Sequence, residues 1–212
     1  MMIGRYDIYS LALAAGVISF LGFVLENIWL ACRKGYMDNR NMTLPFLLGY
    51  GMLVDGIYLL IGTPEELHIN AAPNASLTTR YIVYFLSAAV IVSVGEIALG
   101  TAVEKIFGFE YWNYESLPMH ITKYTSIPTS LGFAFIITFF MGKCFTPIMS
   151  LVGTLEQHDL RTTAVVLTAA MVSDFVISFA KMYKTRSLNI RWTVHIPVIK
   201  DSVDKVKAAL KG

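Results

Sequence analysis

The chain has 212 residues, 55% hydrophobic and 15% charged, with mean hydropathy +0.58 and a net charge of +2. Soluble domains carry about a quarter charged residues, so this composition excludes an ordinary soluble domain and points to a membrane. The small positive balance is a topology signal, and nothing in it argues for nucleic acid.

A helix needs roughly 20 mostly apolar residues to cross the hydrocarbon. The predicted fold is all-α and polytopic, with five spans at 8–31, 44–61, 81–107, 125–141 and 162–179. They make one five-helix domain over 1–182, followed by a basic cytoplasmic tail over 183–212. The first run does not read as a signal peptide: it is too long, only Arg5 precedes it, and Glu26 interrupts it. Its loop carries Asn39-Arg40-Asn41, which reads as an anchor for lipid phosphate. Pro45 opens the second run, which contains Asp55, and a glycosylation sequon follows at Asn74. The third run holds Glu96 and Glu104 and ends on Tyr111, Trp112 and Tyr114, rings suited to a headgroup belt. Pro128 falls early in the fourth run and is expected to kink it. The fifth holds Asp174. Beyond it, "RSLNIRWTVHIPVI" alternates and "KDSVDKVKAALKG" has a helical apolar stripe; both read as a solvated or membrane-apposed tail.

Lys and Arg placement sets the expected orientation. Arg33, Lys34 and Arg40 in the first loop, Lys105 and Lys123 in the third, and the Lys/Arg of the tail fall on one side. This places the N-terminus outside and the C-terminus in the cytoplasm, with the cell membrane the expected location. Cys32 and Cys144 then lie near opposite faces and cannot pair.

"GFVLENIW" from Gly22 matches "GTAVEKIF" from Gly100, pairing Gly22 with Gly100 and Glu26 with Glu104. Helices one and two therefore read as a parallel repeat of helices three and four, with the fifth helix added. A Gly one turn before a Glu lets a neighbouring backbone come close beside the carboxylate. Glu96 and Glu104 share a stripe, roughly 12 Å apart along the axis.

An intramembrane carboxylate costs on the order of 2.5–3.5 kcal/mol and marks a candidate functional residue. Glu26, Asp55, Glu96, Glu104 and Asp174 are the candidates, with no Lys or Arg at matching depth. Two readings stay open for each. Glu26 and Glu104 either bind cargo or brace the loops that follow, with Arg40 and Lys123 as ion-pair partners. Asp55 and Asp174 either work on a solute or are satisfied by nearby groups: Tyr58 for the first, Ser173 and Ser178 for the second. Glu96 and Asp55 lie near mid-membrane. Asn39, Arg40, Trp112 and Tyr114 join the candidate binding residues. His68, His120, His158 and His195 are isolated, so no metal site is expected. The sequence contains no G-x4-G-K-[ST], G-x-S-x-G, HExxH or CxxC. No cofactor and no enzymatic activity are expected.

"ENIWLACRKGYMDNRNMTLPFLLGYG" and "GEIALGTAVEKIFGFEYWNYESLPMHITKYTSIPTSLGF" together resemble the two signatures of the CmpB-like type IV ABC-transporter family of multi-pass membrane proteins. The matching positions are Glu26, Trp29, Asn39, Arg40, Pro45, Tyr50 and Gly51, then Glu96, Gly100, Glu104, Trp112, Asn113 and Tyr114. The sequence departs from the family pattern in having Asn113 for Asp, Asn41 for Gly, and Leu44 for the Gly before Pro45. The resemblance implies the fold and motif positions more than an activity. The expected function is a transport or permease-like component handling a cation, protons or a cationic solute, with any ATP-driven work done by a separate ATPase. The alternative is a sensor, regulator or assembly factor that docks another membrane protein through its loops and tail. Homo-oligomerisation is left open.

Overall fold

The computed structural model describes residues 2–3, 5–68 and 75–197. Asn74 and the helix-like segment 200–212 lie outside the described residues. In chain order the elements are β1 (Met2–Ile3), β2 (Tyr6–Asp7), α1 (Ile8–Lys34), β3 (Tyr36–Asp38), α2 (Leu48–Ile61), α3 (Leu77–Phe107), β4 (His120–Thr122), β5 (Thr125–Ser126), α4 (Ile127–Lys143), α5 (Phe145–Val152), α6 (Gln157–Thr185) and β6 (Thr193–His195). The strands form short antiparallel pairs: β1 with β2, β4 with β5, and β3 with β6. The chain divides into two compact units, Met1–Leu11 with Leu53–Gln157, and Ala12–Met52 with His158–Gly212.

In the first unit α3 packs chiefly on α4. Tyr84, Ala88, Val92 and Gly100 are buried at four-residue spacing. Ile82, Leu86, Val90 and Val94 point outward on the opposite stripe. A helix with one apolar stripe inside and another exposed is built for lipid. Glu96 and Glu104 continue the buried stripe, each four residues from Gly100. Ser76 caps the start of α3 by accepting from Thr79 N–H, and Gly108 ends it at φ 76°.

Among the described residues, α1, α3 and α6 are long and apolar enough to cross a membrane, and α4 with α5 makes a fourth candidate bent by 46°. Five crossings therefore do not follow from helix length. α2 has 14 residues, about 21 Å at 1.5 Å per residue, short of a core about 30 Å thick. The expected run 44–61 becomes helical only at Leu48: Leu44 precedes Pro45, which biases it away from the helical region, and Phe46 N–H turns back to the Leu44 carbonyl. The α4–α5 break has a local cause. Pro147 has no N–H for the Lys143 carbonyl and its ring crowds that turn, so the helix gives way at Cys144. Pro128, by contrast, sits in the first turn of α4 beside the Ser126–Thr129 capping box, where it kinks nothing.

The tail also differs from expectation. In the second unit β6 pairs with β3, Tyr36 opposite His195 and Asp38 opposite Thr193. Asn189 is buried and donates to the Asn41 carbonyl. This part of the tail is fastened to the first loop through β6 and Asn189, while its other residues from Arg186 to His195 stay exposed. Cys32 and Cys144 are both free thiols.

Asp7 caps α1. Its Oδ1 accepts from the N–H groups of Tyr9 (3.0 Å) and Ser10 (3.2 Å), and the Ser10 hydroxyl donates to Oδ2. Burial pushes this carboxyl up, but the bonds from Ser10 and Tyr9 together outweigh it and hold it below the usual 3.8. A lowered value means that the cap stabilises fully above the unfolded-state value and is lost as pH falls through the folded one. Asp7→Ala should cost about 1 kcal/mol at neutral pH. Thermal unfolding followed from pH 7 downward should bring wild type and variant together in acid.

Candidate functional site

The second unit holds a clamp around Glu26. The Tyr50 hydroxyl donates to Glu26 Oε1 at 2.6 Å, and Arg40 Nη2 donates to Oε2 at 3.0 Å. The Tyr50 ring lies against Gly22, one helical turn before Glu26: a Cβ there would fall 2.5 Å from Tyr50 Cγ. Arg40 and Asn41 both have positive φ, 46° and 67°. Asp38 Oδ1 accepts the Arg40 N–H at 2.7 Å and helps hold that turn. The related signature has Gly at position 41, and Asn is among the residues that best tolerate the left-handed region. This departure thus preserves the backbone path. Buried Asn39 donates to the carbonyls of Met42 and Asn189, each at 2.8 Å, and accepts from Arg191 N–H. Its polar groups are spent on the loop and the docked tail.

The first unit holds the same arrangement around Glu104. Lys123 Nζ donates to Oε1 at 2.6 Å, and the Tyr124 hydroxyl donates to Oε2 at 2.5 Å. The Tyr124 ring lies against Gly100, where a Cβ would fall 2.3 Å from Tyr124 Cγ. Lys123 also reaches Glu110 Oε1 at 2.9 Å. Its bonds to Glu104 and then Glu110 push the Lys123 ammonium up, and the Lys123 bond, then that from Asn113, holds the Glu110 carboxyl down. Trp112 Nε1 donates to the Tyr124 carbonyl at 3.0 Å, and Tyr114 N–H to the Lys123 carbonyl at 2.7 Å. Trp112 and Tyr114 therefore also tie the loop to itself, beyond what a headgroup belt requires. Asn113 Oδ1 accepts the Glu115 N–H at 2.7 Å; an Asp would make the same turn.

Asp174, 7% exposed, accepts from Thr43 N–H at 3.0 Å, from Leu44 N–H at 2.8 Å and from the Ser178 hydroxyl at 3.3 Å. It fastens the chain leading into α2. Asp55 is half-buried, and its Oδ1 has no hydrogen-bond partner among the described residues. The Tyr58 hydroxyl accepts from Arg5 N–H and is turned to that contact.

Glu96 differs from the other acids. Its Oε2 accepts from the Thr125 hydroxyl at 2.7 Å. Thr125 Oγ1 is 2.9 Å from Ser130 Oγ, which is 2.9 Å from Ser93 Oγ, and Ser93 lies 2.8 Å from the Ala89 carbonyl. A continuous line of hydroxyls thus joins α3, β5 and α4. Thr125 and Ser130 are buried, and Glu96 and Ser93 are half-buried. A cavity of about 200 Å³ in the second unit is lined by Phe23, Asn39, Leu44, Pro45 and Trp192 among others, and by none of the five acids. Among the described residues no three His, Cys, Asp or Glu groups come together to hold a metal ion.

The sequence reading missed Tyr50 and Tyr124 as the groups facing Glu26 and Glu104, and the hydroxyls behind Glu96. The tyrosines carried a partial signal, each following its Glu before an apolar run. The spacings differ, 24 residues in one case and 20 in the other, so a fixed repeat offset does not align them.

Long apolar helices with outward-facing Leu, Ile and Val are those of an integral membrane protein. The chain belongs to the family described as Putative ABC-transporter type IV (CmpB), whose model matches residues 15–179. The match takes in both clamps, Glu96 and Asp174. No curated protein and no solved structure matches the chain.

Proposed function

We propose that this chain is the membrane-embedded component of a transport system, without enzymatic activity of its own, and that Glu96 meets the transported or coupled cation. One observation carries the reading. Glu26 and Glu104 are spent on cations and tyrosines, and Asp174 on backbone N–H groups; Asp55 and Glu96 face no cation among the described contacts, and of these two Glu96 is the one that heads a line of hydroxyls. Intramembrane carboxylates left uncommitted are the ones that handle ions. Family membership supports the transport class. ATP-driven work would come from a separate ATPase. The recurrence of Gly, Glu, Tyr and a cation in both units supports a duplicated helix–loop unit. The positive loops support five crossings, α2 included, with the N-terminus outside and the C-terminus in the cytoplasm of a cell-membrane protein.

The test is flux in proteoliposomes across a panel of cations and amines. Wild type should transport at least one, and Glu96→Gln should fall to the rate of empty vesicles, while Glu96→Asp should retain part of it. Absence of flux throughout would favour the second reading, a regulator or assembly factor. The firmly clamped loops favour that reading, since a rigid loop suits docking of a partner.

A further inference from the structure

We propose that Glu96, Thr125, Ser130 and Ser93 form a reversible proton-binding relay, so that the ion met by this site is the proton. The inference rests on the reading of Glu96 as the working carboxylate and adds the identity of its ligand.

Each hydroxyl has one hydrogen to donate and can also accept. Ser93 Oγ lies 2.8 Å from the Ala89 carbonyl and 2.9 Å from Ser130 Oγ, so its single hydrogen serves one or the other. With Glu96 ionised, Ser93 donates to Ser130, Ser130 to Thr125, and Thr125 to the carboxylate. With Glu96 protonated, the carboxyl donates to Thr125, Thr125 to Ser130 and Ser93 to the Ala89 carbonyl, while Ser130 turns to donate to Ser93, opposite to the Ser93-to-Ser130 sense of the structure. The line is satisfied in both states, and only the sense of its bonds reverses. The balance closes: one proton arrives from water, one O–H forms on Glu96, and each hydroxyl keeps one hydrogen. Buried polar groups left unpaired are costly, so a site that pairs fully in two protonation states can change between them without that penalty. The Ala89 carbonyl is the terminal acceptor that makes the second state complete.

The charged groups around this stretch do not compete. Glu104 on α3 is occupied by Lys123 and Tyr124, which adjoin β5; Lys123 also holds Glu110; and Lys143 stands at the far end of α4. Among the described residues no ion pair includes Glu96.

Infrared difference spectroscopy on the full chain in proteoliposomes tests this through the C=O stretch of a protonated carboxyl. A band titrating with pH and absent in Glu96→Gln is expected. Thr125→Val removes a donor to the carboxylate and should raise the midpoint of that band by about one pH unit. Ser130→Ala leaves the Thr125 hydrogen without an acceptor in the protonated state and should lower it. Thr125→Ser should restore it. Folding is checked by the amide bands of the same samples. Loss of packing alone would not move the two midpoints in opposite directions. The proposal is overturned if no band depends on Glu96 or if both hydroxyl variants shift it the same way. Parallel flux measurements separate the two readings. Glu96-dependent cation flux with no protonated band would sink the proton assignment and leave transport standing. The expected band shifts without any flux would support the relay and remove the transport reading.

Discussion

Replacing Asp174 with alanine is expected to destabilise the detergent-solubilised protein by about 3 kcal/mol. The carboxylate is buried in α6 and gathers N–H groups from two successive residues, Thr43 and Leu44, together with the Ser178 hydroxyl. Those N–H groups precede a helix that starts only at Leu48, and Phe46 N–H and Leu47 N–H are bonded to the carbonyls of Leu44 and Ser19. Without the carboxylate, the Thr43 and Leu44 N–H groups lose the acceptor that holds them in the structure. Asp174→Asn keeps an acceptor and should cost roughly half as much. Ser178→Ala removes only the 3.3 Å contact and should fall within about 0.5 kcal/mol of wild type. Thermal unfolding of the three variants should rank alanine, asparagine, serine deletion in that order. Equal values for all three would show that Asp174 is not what holds the segment.

That carboxylate marks where sequence reading stops. The apolar runs, the acids on one stripe of α3, and Arg40 and Lys123 as ion partners were legible, because period and charge are local properties. The anchoring of the segment before α2 was not, since Leu44 N–H is held by a residue 130 positions away. Nor was the docking of the tail, where Asn39 and Asn189 are 150 residues apart. Such bonds depend on which chain segments meet, which no local period encodes. The α4–α5 break was in principle readable from Pro147. Hydropathy averages over a window, however, and is blind to a bend within an apolar run. Glu96 shared its mid-membrane depth with Asp55; Thr125, 29 residues on, and the hydroxyls behind it became visible only with β5 folded against α3.

Two glycines five residues apart in α3 should respond to alanine with opposite signs. At Gly95 a Cβ meets nothing within 4 Å, so alanine should gain about 0.5–1 kcal/mol from helix propensity alone. At Gly100 the same methyl falls 2.3 Å from Tyr124 Cγ and 2.9 Å from its Cβ. Those atoms are the base of a buried ring whose hydroxyl is held by Glu104 and whose carbonyl accepts from Trp112. The ring can yield only by releasing Glu104. Overpacking of this kind costs about 1–3 kcal/mol, so Gly100→Ala should be a net loss despite the propensity gain. Proteolysis within 108–123 should speed up with it, because the same tyrosine anchors that loop. Tyr124→Phe on its own gives up the carboxylate bond while the ring still fills the space. Combined with Gly100→Ala, it should cost less than the two single losses added, since the ring is then free to move aside. The second unit offers an independent repetition: Gly22→Ala presses on Tyr50, while Gly49→Ala meets open space. Agreement between the two units would support the clamp as one device used twice. A loss at Gly100 with none at Gly22 would confine it to α3 and take away the physical support for the duplication.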